Sequence, residues 1–282
     1  PDALHLLGVL ALQAGQAETA VNLFESAMRA KPDEPEFLNM CGEAYRMMKN
    51  FDTAISHYRQ ALDIRPEFAG ALNNLGNTFM EMRQFEDAVE CYQKAIAIDP
   101  GFPMSHHNLG IAFKELGRPQ EAVAHHERAI AIMPAYAEAH SSLGNALQAL
   151  GRAEEAIDHH KQAIAVRPDY AEAHSNLGNA LRDLGRVEEA VTHYKQAIAI
   201  QPQFVIAHYN LGIALDELGR PEEAVSHYEQ ALRINPDYAE ANHNLANALD
   251  ELGRREDAVH HYEKALANKP GYAEAYRYLG RL

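Results

Sequence analysis

Proline recurs at positions 32, 66, 100, 134, 168, 202, 236 and 270, a spacing of 34 residues held through the chain without an insertion. A period of this length is one helix–turn–helix unit, which cannot bury its apolar face alone and must stack on copies of itself. Other positions keep the same step. Counting Pro1 as position 1, position 7 reads Leu7, Cys41, Leu75, Leu109, Leu143, Leu177, Leu211, Leu245 and Leu279, and position 8 reads Gly8, Gly42, Gly76, Gly110, Gly144, Gly178, Gly212, Ala246 and Gly280. Alanine fills position 20 (Ala20 through Ala258) and position 27 (Ala27 through Ala265) in every full unit. Position 24 carries a ring or a ring-sized group: Phe24, Tyr58, Tyr92, His126, His160, Tyr194, Tyr228 and Tyr262. Small residues recur where helices must come close, and a ring stands beside them.

Leu-Gly on a first helix, then Ala, an aromatic, Ala and Pro on a second, resembles the tetratricopeptide repeat, and the resemblance covers the whole chain. It implies an all-α, right-handed superhelix forming one solenoid domain across residues 1–282. The repeats are 1–34, 35–68, 69–102, 103–136, 137–170, 171–204, 205–238 and 239–272, with part of a ninth first helix at 273–282. Position 4 departs from the usual bulky residue, reading Leu4, Leu38, Leu72, His106, His140, His174, His208 and Asn242. The remaining signature positions agree in every unit, so the fold expectation stands.

The first helix of each unit is expected to run from about position 2 to 14 and to end at a left-handed glycine, Gly15, Gly117, Gly151, Gly185, Gly219 or Gly253. The second opens with acidic residues such as Glu154-Glu155, Glu188-Glu189 and Glu222-Glu223, which favour the positive end of a helix dipole. Pro119 and Pro221 fall in its first turn, where proline is tolerated. It ends at the periodic proline, whose ring removes a donor and disfavours helix in the residue before it. An aromatic two residues later (Phe68, Phe102, Tyr136, Tyr170, Phe204, Tyr238, Tyr272) seals the joint between units.

A net charge of −15 argues against nucleic acid or an anionic membrane as partner, since both demand clustered Lys and Arg. No apolar run approaches the roughly 20 residues that span a bilayer, so no membrane insertion is expected. Cys41 and Cys91 fall in different units with no support for a bond between them, and two free thiols suit a reducing cytoplasm. The first residues show no signal-peptide pattern and no initiator Met, consistent with a leader removed from a longer precursor. Ala273, Tyr276, Leu279 and Gly280 still follow the repeat at the last residue, where a polar cap is the norm, so the native product is expected to continue.

The resemblance implies that positions 2, 5, 6, 9, 12 and 13 of each first helix line a concave groove. In the first three units these include Leu6, Val9, Leu12, Met40, Met47 and Met80, an adaptable apolar strip suited to an apolar partner segment, a missing N-terminal segment or a second copy of the chain. From the third unit onward positions 6 and 9 carry Asn74, Asn77, Asn108, Asn145, Asn176, Asn179, Asn210, Asn244 and Asn247. A ladder of amides can pair with the backbone of an extended peptide whatever its side chains. Asp183, Asp216, Glu217, Asp250 and Glu251 add a negative stripe that steers basic segments to that end, although Arg182 interrupts it. The asparagine columns and motifs such as SNLGNALRDLGR (175–186) also resemble the repeat arm of the O-linked N-acetylglucosamine transferase family.

The many histidines form columns at positions 4 and 23 (His57, His125, His159, His193, His227, His261) rather than clusters, and neighbours such as His125 and His126 diverge around a helix. A metal site needs several ligands on one point, so no metal and no cofactor is expected. No phosphate loop, nucleophile elbow or His-Glu-x-x-His run is present. Position 5 (His5, Asn39, Asn73, His107, Ser141, Ser175, Tyr209, His243) lacks the basic residues of the family's dicarboxylate clamp, which disfavours an acidic chaperone tail. The expectation is a non-catalytic protein-interaction scaffold. The alternatives are a substrate-recognition arm of a larger glycosyltransferase and a self-assembling scaffold joined through its exposed ends or convex face.

Overall fold

The computed structural model describes residues 1–279, and Gly280, which continues the position 8 column, lies outside the described residues. Among the described residues there are 17 helices and no strand. They run in pairs: α1 (Asp2–Gln13) with α2 (Ala17–Ala30), α3 (Pro35–Met47) with α4 (Phe51–Ile64), α5 (Ala69–Glu81) with α6 (Phe85–Ile98), and α7 (Pro103–Glu115) with α8 (Pro119–Ile132). The series continues with α9 (Ala137–Ala149), α10 (Ala153–Val166), α11 (Ala171–Asp183), α12 (Val187–Ile200), α13 (Val205–Glu217), α14 (Pro221–Ile234), α15 (Ala239–Glu251), α16 (Arg255–Asn268) and α17 (Ala273–Leu279). The architecture is an all-α solenoid of repeated helix pairs. The chain divides into two compact units, Pro1–Ala139 and the residues from His140 onward.

Each first helix stops on a left-handed residue. At the end of α1 the Gly15 amide donates to Leu12 O at 2.9 Å and the Gln16 amide to Ala11 O at 2.8 Å, the paired bonds that close a helix through a left-handed turn. Gly15 has φ +73° there, and the glycines at the same position in five later repeats match it. Lys49 and Arg83 hold the same turn at φ 60° with a side chain attached, a conformation that crowds Cβ against the backbone. Each second helix ends two residues before its proline. The residue between them is extended, as in Arg65 (φ −131°, ψ 90°) and Asn235 (φ −130°, ψ 90°), because the proline ring bars it from helical geometry.

Packing inside a hairpin is set by one contact. A Cβ built on Gly178 would stand 2.6 Å from Cε1 of Tyr194, and one on Gly8 would stand 2.5 Å from Cε1 of Phe24. The ring of the second helix therefore lies directly on the backbone of the first, with the flanking alanines Ala190 and Ala197 fully buried beside Tyr194. The proline-joint aromatics are held by cations and rings: Arg65 lies 5.0 Å from the Phe68 ring, and Tyr238 packs 4.8 Å from Tyr209.

Because Arg83 holds a left-handed turn that glycine adopts freely, Arg83→Gly is expected to raise the unfolding free energy by about 1 kcal/mol. Lys49→Gly should gain less, since it also removes the Lys49–Glu81 ion pair. Urea midpoints of the two variants against the parent chain check this ordering.

Candidate functional site

Successive first helices touch one another, α1 with α3, α3 with α5 and α5 with α7 in the first unit, and α11 with α13 and α13 with α15 in the second. No pair of second helices has a comparable contact among the described residues. The first helices thus lie on the crowded, inner side of each unit, and their exposed face is where the groove positions fall. Leu6 and Met47 are exposed there, Val9, Met40 and Met80 are half-buried, and most of the asparagines are half-buried. Leu12 departs from expectation. It is 8% exposed and belongs to the core cluster with Phe24 and Cys41, where a small thiol at position 7 leaves room for it.

The asparagines are bonded within the solenoid. At position 9 the side-chain oxygen accepts from the tyrosine at position 24 of the same hairpin: Tyr92 to Asn77 at 2.7 Å, Tyr194 to Asn179 at 2.8 Å, and Tyr262 to Asn247 at 2.5 Å. At position 6 the amide nitrogen donates backward to the preceding repeat: Asn74 to Asn39 at 3.1 Å, Asn176 to the Ser141 hydroxyl at 3.3 Å, and Asn244 to the Tyr209 hydroxyl at 3.1 Å. Asn108 donates to both Asn73 (3.1 Å) and Asn77 (3.0 Å), and the buried Asn210 donates to Asn179 at 2.9 Å. Where position 9 is not an asparagine the hydroxyl still finds an oxygen. Tyr58 donates to Glu43 at 3.2 Å, and Tyr228, opposite Ile213, donates instead to Asp216 at 2.6 Å. Phe24, which has no hydroxyl, faces a repeat with Val9 at that position.

This bonding polarises the ladder. The Asn77 oxygen accepts two bonds and its nitrogen donates none, while the Asn108 nitrogen donates two and its oxygen accepts none among the described residues. Both asparagines line a cup of about 230 Å³ in the first unit, together with Arg46, Met80, Glu81, Tyr92 and Ile111. Arg46 is already neutralised. Its Nε donates to Glu43 at 2.9 Å and its terminal nitrogens reach Glu43 and Glu81, while Lys49 holds the other Glu81 oxygen at 2.6 Å. Positions 12 and 13 of the last two full repeats are acidic, with Asp216, Asp250 and the exposed Glu217 and Glu251. Asp250 is met by Arg255 at 3.7 Å and Glu217 by Arg182 at 3.8 Å.

The two histidine columns meet, which their separation of 19 residues had concealed. Nδ1 of His106, His140, His174 and His208 lies 3.2–3.3 Å from Nδ1 of His125, His159, His193 and His227 respectively. Nε2 of His174 and His208 sits 3.2 and 3.1 Å from the carbonyls of Pro168 and Pro202. A carbonyl only accepts, so Nε2 carries the proton, Nδ1 is bare, and the partner ring donates to it. Asn242 does the same work with an amide, donating to Pro236 O at 3.3 Å and accepting from His261 at 2.9 Å. His174, His208 and Asn242 thus tie a first helix to its second helix and to the proline turn before it. Among the described residues no group of three or more His, Cys, Asp or Glu converges as metal ligands. Cys41 and Cys91 are free and buried, and burial pushes their thiols up to about 12 and about 11, away from reactivity.

Three titratable groups lie uncomfortably. His126 and His160 occupy the ring slot that tyrosine fills elsewhere. Nδ1 of His126 and both ring nitrogens of His160 are buried without a partner, and burial pulls the rings down to about 3 and about 4. Asp216 is pushed up to about 6 by burial, with Glu251 and Glu217 adding to it and the Tyr228 hydroxyl opposing it.

Family models described as TPR repeat match residues 42–83, 112–151, 149–181 and 178–219. Models described as tetratricopeptide repeat match 1–34, 69–102, 91–124, 205–238 and 239–272. No curated protein matches the chain. Among solved structures, a chain of the APC/C hetero-tetramer Cut9-Hcn1 matches 96% of this chain at 16% identity with a TM-score of 0.74, and this chain spans 55% of its length. MamA matches at 28% identity and a TM-score of 0.52, covering 59% of this chain and 97% of MamA. YrrB, described as a TPR protein with an unusual peptide-binding site, matches at 22% identity and 0.53, covering 66% of this chain and 96% of YrrB.

Two substitutions test the site's internal electrostatics. His160→Tyr places a hydroxyl where Tyr194 has one, within reach of Asn145, and should add about 1–2 kcal/mol at neutral pH. Because His160 titrates near 4 in the fold and near 6.5 when unfolded, its contribution is lost as pH falls between those values, and the tyrosine variant should lose less stability over that window. Asp216 has the opposite sign. Its folded value of about 6 exceeds the ordinary 3.8, so the fold weakens as pH rises from about 4 through 6. Asp216→Asn still accepts from Tyr228 and should be more stable than the parent at pH 7, with the difference vanishing below pH 4. Urea unfolding of both variants at pH 4, 5.5 and 7 reads these effects.

Proposed function

The chain belongs to the tetratricopeptide-repeat family, and from that premise we propose that it is a non-catalytic interaction scaffold that holds an extended protein segment against the inner face of its first helices. The observation that carries this reading is the polarised amide pair. Asn77 offers donors and Asn108 offers an acceptor, side by side on that face, with every other bonding capacity of the two used internally. An unclaimed donor beside an unclaimed acceptor complements the C=O and N–H of a peptide main chain, so affinity need not depend on the partner's side chains. Asn179 repeats the arrangement in the second unit, its oxygen taken by Tyr194 and Asn210. The apolar Leu6, Met40 and Met47 give the first unit adaptable contact area. The carboxylates at positions 12 and 13 of the second unit favour a partner stretch carrying Lys or Arg. YrrB, whose fold this chain shares, is described as having a peptide-binding site. No described helix is long and apolar enough to cross a membrane.

Replacing amides by alanine would break the internal bonds as well as any bond to a partner, so an isostere is the cleaner probe. Asn77→Asp with Asn179→Asp keeps oxygens that accept from Tyr92 and Tyr194 and abolishes the outward donors. Peptides selected from a phage-displayed random 12-residue library on the parent chain should bind this double variant at least tenfold more weakly in about 0.5 M salt, where added charge is screened within about 4 Å. Helicity and urea midpoint should be unchanged. Equal affinity would remove the amide face from the proposed mode of binding.

A further inference from the structure

The residues that line the cup in the first unit have counterparts in the second. A step of three repeats carries Asn77, Tyr92, Asn108 and Ile111 onto Asn179, Tyr194, Asn210 and Ile213. The bonds are carried too: tyrosine to asparagine at 2.7 and 2.8 Å, and asparagine to asparagine at 3.0 and 2.9 Å. Glu81 becomes Asp183, and each accepts from position 12 of the preceding first helix, from Arg46 and from Gln148 respectively. Two lining residues change character: Gln148 stands where the first cup has Arg46, and Arg182 stands where it has Met80, which puts a guanidinium in the apolar interior.

We propose that the first cup is an anchor pocket for one aliphatic side chain of an extended peptide, and that Arg182 closes the equivalent pocket in the second unit. The inference rests on the reading of the inner face as peptide-binding and adds which side chain is recognised and where. Charge decides against an ionic occupant, because Arg46 and Lys49 are matched by Glu43 and Glu81 and no unpaired charge is left to meet one. Size decides against a small molecule, because about 230 Å³ lies below the roughly 300 Å³ where pockets for such ligands begin. What remains inside is Met80, Ile111 and the Tyr92 ring, with an amide donor and an amide acceptor beside them. That is an apolar socket next to a grip for one peptide unit, and the methionine lets it adapt to leucine, isoleucine or methionine. In the second unit a guanidinium takes the place of the thioether. Its terminal nitrogen Nη1 is buried without a partner, and its Nε reaches Glu217 only at 3.8 Å. An aliphatic group placed there would strip water from a cation that has little else to bond.

The test uses the full chain and the same random 12-residue library, with selected peptides synthesised and titrated calorimetrically. The parent chain should select peptides sharing one Leu, Ile or Met at a fixed place, binding one per chain. Met80→Arg should weaken them at least tenfold while Met80→Leu stays within threefold, each variant checked for an unchanged melt. Arg182→Met opens the second socket and should raise the stoichiometry to two, a gain that no loss of folding can imitate. Selected peptides without a shared aliphatic residue, an unaffected Met80→Arg, or one peptide per chain in Arg182→Met would overturn the anchor assignment, even where binding still depends on Asn77. A parent chain that selects no peptide at all would overturn the peptide-binding reading from which the assignment starts.

Discussion

In the first seven hairpins a ring lying on a glycine is the contact from which the rest of the hairpin follows. With hydrogen as the only side chain at position 8, the tyrosine of the second helix sits against the backbone of the first, closer than any Cβ would permit. Such an approach fixes the separation of the two helices, and it also carries the hydroxyl through to the far side of the first helix. A buried hydroxyl needs an acceptor, and leaving it unmet costs on the order of 1–3 kcal/mol. The residue at position 9 or 12 meets that need: Asn77, Asn179 and Asn247 by their amides, Glu43 and Asp216 by their carboxylates. Part of the composition of the inner face is thus dictated by the core behind it.

This dependence changes what the asparagine columns mean. A row of amides on a groove reads as a ladder for a partner's backbone, and the same row also answers tyrosine hydroxyls and stitches one repeat to the one before it. The structural demand exists in any stack of these hairpins, whatever the protein does. The columns are therefore a weak sign of kinship with the O-linked N-acetylglucosamine transferase arm, and the family models and structural matches place the chain among tetratricopeptide repeats without that refinement. The functional content lies in the atoms left over: one donor face on Asn77 and one acceptor on Asn108.

Legibility in the sequence tracked the range of the interaction. The 34-residue step, the left-handed glycines and the extended residue before each proline depend on neighbours within a few residues, and all could be read directly. The pairing of Asn77 with Tyr92 spans 15 residues and that of His174 with His193 spans 19. Both link columns that were noticed separately, and a signal was present: Val9 accompanies Phe24, and Ile213 accompanies an Asp216 that takes over as acceptor. Asn242 opposite His261 shows the same logic, since an amide supplies the donor and acceptor that imidazole supplies elsewhere. Leu12 was misplaced because its burial depends on Cys41 in the next repeat being smaller than leucine. Lys49 and Arg83 carry no sequence mark of a left-handed turn beyond occupying the glycine's place.

The ring slot also shows where the array is weakest. In a solenoid each hairpin contacts only its neighbours, so stability is close to a sum of local terms and a poor hairpin is not averaged away. His126 and His160 put imidazoles where the slot demands an apolar body, and Ile111 offers the first no acceptor, while Asn145 lies beyond the reach of the second's buried nitrogens. These are the fourth and fifth hairpins, the last of the first compact unit and the one in which the second begins. Local opening draws on the hairpins with the fewest satisfied groups, so the middle of the chain opens at lower free energy than the tyrosine-filled hairpins on either side. The cup beside Tyr92 and the matching residues around Tyr194 each sit in a hairpin whose ring hydroxyl is bonded, which holds Asn77 and Asn179 in fixed orientation.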